Sequence, residues 1–231
     1  MRVLALLVSF VLITGALGCD TNTTTAGCCG SGVPAARVVN GYPTPVNVLV
    51  DGGVSASSLP AGTIDTIGLT TGSHVIAFSP SGTSVSSAGL SVAIAAGSLP
   101  TLVTLRSSTS VPQTVALDDT NDIVPGGATK LRVLHFAPNA GTLQVYRTQP
   151  DYQQPIAWQF PFTYQSDPTS LSAPFYQSTV GTWEVRIWQT PADASGWSTA
   201  PVKVVLPMVS GEKHTIIILD KAGGGVRAEV I

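Results

Sequence analysis

The sequence predicts an all-β protein: two tandem immunoglobulin-like β-sandwich domains behind a signal peptide and a flexible tether. Three observations carry the prediction. Charged residues are 10% of the 231-residue chain, against roughly 25% in an ordinary soluble domain, so the Lys- and Glu-rich outer faces that amphipathic helices present to water are not supplied. Short apolar runs alternate with Gly, Pro, Asn and Ser turn signals at intervals of about eight to twelve residues, the spacing of a sandwich. And one phrase occurs twice: Ala36-Arg37-Val38-Val39-Asn40-Gly41-Tyr42-Pro43 returns as Leu131-Arg132-Val133-Leu134-His135-Phe136-Ala137-Pro138.

The chain opens with Met1-Arg2 and an apolar core from Val3 to Ile13, broken only by Ser9. That core has the length of a secretory h-region and is short of the roughly 20 residues a membrane span needs. Gly15-Ala16-Leu17-Gly18-Cys19 follows. It resembles a bacterial lipobox, in which Cys19 is acylated and becomes the new N-terminus; ordinary cleavage after the small-x-small triplet Ala16-Leu17-Gly18 is the alternative. Residues 1–18 are thus expected to be a signal peptide, with Cys19 lipidated and the protein held on a membrane of the bacterial cell envelope. Acylation leaves Cys28 and Cys29, adjacent residues that cannot staple a fold and are open to a vicinal disulfide, a partner chain or the free thiol state. Residues 19–35, rich in Thr, Gly and Ser, read as the tether.

The first sandwich is expected over 36–124 and the second over 130–231, with Pro125-Gly126-Gly127 at the boundary. Val46, Val48 and Val50 alternate with Asn47, Leu49 and Asp51, and Leu143 to Arg147 answers them. Gly72 to Phe78 matches Gly181 to Ile187, aligning His74 with Trp183, Ile76 with Val185 and Phe78 with Ile187 on one apolar side. Gly97 to Leu105 matches Gly211 to Leu219. The apolar run Leu90 to Ala96 lies between Gly89 and Gly97, bounds that favour strand over helix. About seven strands are expected in each half.

The Arg-Val opening followed by Pro, the Val-x-Val strand ending in Asp-Gly, the Gly-x-His/Trp-x-Val/Ile strand and the turn before a Thr-led apolar strand together resemble the bacterial family of domain of unknown function 4397, in tandem copies. The resemblance covers nearly everything from Ala36 onward and implies an envelope or secreted protein without a known activity. In that family the opening reads Arg-Val-x-His-x-Ser/Ala-Pro. The second copy keeps His135, Ala137 and Pro138, whereas the first has Asn40, Tyr42 and Pro43, so any role of the family His falls to the second half.

The chemistry-bearing residues are few. The three histidines (His74, His135 and His214) have no metal-clamp spacing. No nucleophile elbow, phosphate loop or paired carboxylate motif is present in the sequence, so no catalytic residue and no cofactor is expected. The acidic run Asp118-Asp119-Thr120-Asn121-Asp122 is a weak calcium candidate through Asp118, Asp119 and Asp122, but it lacks the Gly and terminal Glu of an EF-hand. With 11 basic residues, a net charge of -2 and no basic cluster, no nucleic-acid partner is expected.

The halves differ most between Thr148 and Ser178. The offset between matching residues is 95 at Arg37/Arg132 and 109 at Gly72/Gly181, so the second half is about fourteen residues longer. The 148–178 segment holds five Pro, six Gln and the aromatics Tyr152, Trp158, Phe160, Phe162, Tyr164, Phe175 and Tyr176. Rings with amide side chains and little charge suit sugar stacking or a protein interface, while the alternation of Trp158, Phe160 and Phe162 equally fits a strand that closes a core. The expectation is an envelope lipoprotein acting as a non-catalytic binding or structural module, its partner an envelope protein or a polysaccharide. The alternative is a carbohydrate-binding module using Tyr152, Trp158, Phe160, Phe162, Tyr164 and Tyr176, with His135 as a further candidate contact.

Overall fold

The structure, a computed structural model, describes residues 33–106, 111–117, 123–150, 156–162, 175–189 and 202–231, with backbone alone for 156–162 and 189. The described residues contain sixteen strands and no helix. The first half supplies β1 (Ala35–Gly41), β2 (Val46–Val50), β3 (Gly53–Leu59), β4 (Ile64–Gly68), β5 (Gly72–Pro80), β6 (Leu90–Ile94), β7 (Thr101–Arg106) and β8 (Pro112–Ala116). The second supplies β9 (Ala128–Phe136), β10 (Leu143–Thr148), β11 (Ile156–Phe162), β12 (Tyr176–Thr179), β13 (Gly181–Gln189), β14 (Val202–Met208), β15 (Lys213–Asp220) and β16 (Val226–Val230).

These strands form four four-stranded sheets, with orders β3-β2-β5-β6 and β4-β1-β7-β8 in the first half and β11-β10-β13-β14 and β12-β9-β15-β16 in the second. Three apolar clusters show how the sheets stack. Val38, Ala36, Ile67 and Leu102 of one first-half sheet meet Val46, Val48, Ile76 and Phe78 of the other. Leu131, Val133, Ile216 and Ile218 meet Val145, Val185, Ile187 and Leu206 in the second half. Between them lies a third cluster, in which Val39, Val103, Leu105, Val115 and Leu117 pack on Leu134, Phe136, Ile217 and Leu219. The two inner sheets are therefore packed on both faces, which is why β7 and β15 each bury five consecutive residues rather than alternating ones. Residues Ser31–Ile231 form one compact unit.

Each inner sheet holds a parallel pair at its centre: β1 with β7, and β9 with β15. The register places Arg37 opposite Thr101 and Arg132 opposite Thr215. Across each pair the guanidinium donates to the threonine hydroxyl, from Arg37 Nη1 at 3.3 Å and from Arg132 Nε and Nη2 at 3.2 and 3.0 Å. The repeated Arg and the Thr-led strand are thus the two ends of one contact, made twice. Arg132 is 2% exposed and its guanidinium stacks 4.3 Å from the Phe175 ring centroid; Arg37 is only half-buried.

The β2–β3 hairpin turns on Asp51 and Gly52, at φ of 51° and 82°, the two positive values that a tight two-residue hairpin requires. Asp51 holds this turn against β5: its Oδ1 accepts from the Val75 N–H at 2.8 Å and its Oδ2 lies 2.7 Å from His74 Nδ1. In the second half, residues 149–155 stand in place of that two-residue turn, and 163–175 in place of 60–63.

Candidate functional site

His135 and its counterpart Asn40 occupy the ends of β9 and β1, and both are wholly buried. Asn40 Oδ1 accepts from the Tyr42 N–H (2.9 Å), and its Nδ2 donates to the carbonyls of Thr44 (3.0 Å) and Leu59 (2.9 Å). His135 Nδ1 accepts from the Ala137 N–H (3.2 Å) and Nε2 donates to the Gly141 carbonyl (2.7 Å). These partners fix the neutral Nε2–H tautomer, and burial holds the imidazole pKa below its ordinary value. Both ring nitrogens are committed to the backbone, so His135 presents no atom to a ligand; the residue shapes the strand end as Asn40 does.

The other candidates fall as follows. Trp158, Phe160 and Phe162 lie on β11, an edge strand pairing with β10; their side chains are outside the described residues. That strand takes the sheet position of β3 in the first half. Tyr176 begins β12 and is 38% exposed. Tyr152, Tyr164, Asp118, Asp119, Asp122 and Cys19 lie outside the described residues. Among the described residues, no three His, Cys, Asp or Glu side chains gather as a metal site. His74 sits at the core edge of β5, between Asp51 and the Thr70 carbonyl (3.0 Å from Nε2), and the Asp51 hydrogen bond raises its pKa.

A constellation not singled out by sequence lies on the outer face of β11-β10-β13-β14. The core side of β13 is Val185 and Ile187; its other side is Glu184, Arg186 and Trp188. In register opposite them on β10 stand Thr148, Tyr146 and Gln144. Arg186 Nε donates to Glu184 Oε1. The Tyr146 and Trp188 rings meet edge-to-face, with centroids 4.8 Å apart at 84°, and the Tyr146 hydroxyl donates to Gln144 Oε1 at 2.7 Å. Glu184, Arg186 and Trp188 are a floor with only 4–6% exposure, while Gln144 and Tyr146 are half-buried and Val205 on neighbouring β14 is 55% exposed. Thr148 Oγ1, also buried, has no hydrogen-bond partner.

The equivalent face of the first half is different chemistry on the same frame. Asn47 and Leu49 on β2 stand opposite Ser79 and Ala77 on β5, followed by Val75, which is 47% exposed. A signal for the second-half face was present in the sequence: charged and aromatic residues at every second position of β13, out of phase with Trp183, Val185 and Ile187.

One open concavity is described in the first half, with a volume of about 340 Å³, between Tyr42, Pro43, Pro80, Val85, Arg106 and Pro112. Tyr42 lines it at the position where the second half has the wholly buried Ala137.

Comparison with known proteins places these features in context. No curated protein matches the chain. Among solved structures, the chain is similar to the crystal structure of CBMbc (family CBM26) from Eubacterium rectale Amy13K in complex with maltoheptaose, with 9% identity, a TM-score of 0.27 and coverage of 85% of this chain and 96% of that one. A likeness at that level carries no argument about function. The profile of the family described as Domain of unknown function (DUF4397) matches residues 34–146, from β1 through Tyr146 on β10, and leaves Glu184, Arg186 and Trp188 outside the match. Over that stretch the chain is similar to the DUF4397 family.

Proposed function

We propose that this is a lipid-anchored protein of the bacterial cell envelope, acting as a non-catalytic binding module whose ligand-contacting face is the outer face of β11-β10-β13-β14. The carrying observation is the contrast between equivalent sheets. The first half needs only Asn47, Leu49, Val75, Ala77 and Ser79 to complete this face, whereas the second spends an ion pair, two rings and an amide on it. A buried ion pair adds little stability over well-packed apolar side chains of the same volume, so fold stability alone gives no reason for Glu184 and Arg186. A non-catalytic role is supported by the histidines His74 and His135, both of which are held by structural hydrogen bonds.

The anchor rests on Cys19 and its flanking sequence. Cys19→Ala is expected to move the protein from the membrane fraction to the soluble one; retention on the membrane would overturn the anchor. For the binding face, tryptophan fluorescence titrated with envelope polysaccharides and envelope proteins is expected to shift through Trp188. A carbohydrate ligand is the second reading, favoured by the Tyr146 and Trp188 rings lying beside the Gln144 amide on one face. A response to polysaccharides and not to proteins selects it.

A further inference from the structure

We infer that β6 is a self-association edge: two copies of this chain pair their β6 strands antiparallel about a two-fold axis at Val92. Two four-stranded sheets then join into one of eight strands. The inference concerns the first half and is independent of the binding face on the second.

Edge protection decides first. Four sheets of four strands have eight edge strands, and an unprotected edge is a template for another chain. Seven of the eight carry a feature that discourages such pairing. β4 has Asp65, β16 has Arg227 and Glu229, and β14 has Lys203 and Pro207. β8 begins on Pro112, β11 contains Pro161, β3 shifts register twice against β2, and β12 is only four residues long. β6, Leu90-Ser91-Val92-Ala93-Ile94, has no charge, no proline and an unbroken register with β5. It lies within residues 66–105, a run with no Asp, Glu, Lys or Arg. Two copies therefore meet no like-charge repulsion at this edge.

Main-chain direction decides second. The Asp51 N–H donates to the Val75 carbonyl at 2.9 Å and the Val75 N–H donates to Asp51 Oδ1, so Val75 turns its main chain toward the β2 side. Phe78 turns the other way, its carbonyl accepting from the Ser87 N–H at 2.7 Å. Direction alternates along a strand, so His74 and Ile76 face β6 and bond their register partners Val92 and Leu90. Ser91 and Ala93, both exposed, then turn their N–H and C=O groups away from the sheet, and among the described residues β6 is its last strand.

Those outward groups specify the partner. A second β6 laid antiparallel sets Ser91 opposite Ala93 of the other copy, twice, and four hydrogen bonds use every outward group of both strands. Val92 then faces its own counterpart, and Leu90 faces Ile94. Leu90 and Val92, partly buried against the first-half core, gain cover on their open side. The order apolar-small-apolar-small-apolar reads the same in both directions, so the strand is its own complement. Two such strands bury less than the about 1,200 Å² of a stable interface. The dimer is accordingly weak and reversible, half-formed at about 0.1–1 mM.

The test uses the chain from residue 19 onward with Cys19→Ser, Cys28→Ser and Cys29→Ser, so that neither lipid nor native thiols link copies. Sedimentation equilibrium between about 10 µM and about 1 mM is expected to show a reversible rise from the mass of one chain toward two. Ala93→Pro removes an outward N–H from each copy, a change an edge strand tolerates, and is expected to weaken association about tenfold or more. Ala93→Val keeps that N–H and is expected to associate as the parent does. Val92→Cys reads the register without proline: the paired Cα atoms lie about 4.5 Å apart, within disulfide reach, and mild oxidation is expected to link two copies. Ala93→Cys, whose counterpart is out of reach in this register, is expected to link several-fold more slowly. A single-chain mass up to about 1 mM overturns the dimer and leaves the edge to an extended segment of another protein. Association that a folded Ala93→Pro variant leaves intact overturns the β6 pairing. So does cross-linking through Ala93→Cys as fast as through Val92→Cys, and that comparison alone decides if Ala93→Pro does not fold.

Discussion

An amide at 40 and an imidazole at 135 offer the backbone the same two functions: an acceptor for the N–H two residues on and a donor for a carbonyl across the turn. Asn40→His is therefore expected to destabilise less than Asn40→Ala, and His135→Asn less than His135→Ala. The alanine changes orphan buried backbone groups at about 1–3 kcal/mol, and urea denaturation measures all four. The two described histidines with shifted pKa values respond oppositely to pH. His74, whose Nδ1 and Nε2 both face acceptors, is favoured as the cation. Its contribution to stability is complete below about 6.5 and is lost as pH rises through its elevated folded-state value. His135 is favoured as the neutral form, so its contribution is complete above about 6.5 and is lost as pH falls through its depressed value. NMR titration is expected to show His74 titrating above His135, and Asp51→Asn to lower the His74 value alone.

At the scale of the element, the Arg–Thr contact across each parallel pair is the same bond in two environments. Thr215→Val removes the hydroxyl that accepts from Arg132, which is buried under Phe175, and is expected to cost about 1.5–3 kcal/mol. Thr101→Val, beside the half-buried Arg37, is expected to cost under about 1 kcal/mol. Guanidinium denaturation of the two variants checks the ranking. The strands themselves were legible because local pattern dictates them: the alternation of Val46, Val48 and Val50 and the glycine-bounded run at Leu90 both became the strands they implied. The parallel pairing was not legible, since β1 and β7 are joined only through distant chain and nothing in either strand names its partner. The outer-face constellation was half legible. Glu184, Arg186 and Trp188 announce a side of β13, but their partners Gln144, Tyr146 and Thr148 are set by register with another strand.

The described residues of Ser31–Ile231 stack four sheets, and the central core joins the two halves. That core was hidden because Val39, Leu105, Leu134 and Leu219 read in sequence as interior residues of their own sandwich; only the inner sheets' double-sided burial shows a second destination. The joint is tight at its rim. A Cβ on Gly62 would lie 2.0 Å from the Asp220 carbonyl oxygen, Gly62 has φ of 68°, and its own carbonyl accepts from Arg227 Nε at 2.8 Å. Gly62→Ala is expected to cost about 2–5 kcal/mol from the left-handed backbone and overpacking together. Phe136→Ala, in the middle of the joint, is expected to cost about 3–5 kcal/mol. Thermal unfolding of the two variants tests whether the halves melt as one unit, as a shared core requires.

That shared core draws on matching positions of the two copies, Val39 with Leu134, Val103 with Ile217 and Leu105 with Leu219. A contact surface that is nearly its own complement does not distinguish a neighbour on the same chain from one on another. The tie between the halves therefore sets the effective concentration that keeps the closure within one molecule. Refolding at rising protein concentration, or shortening that tie, would trade the closed monomer for reciprocally exchanged dimers, in which each chain lends a half to the other.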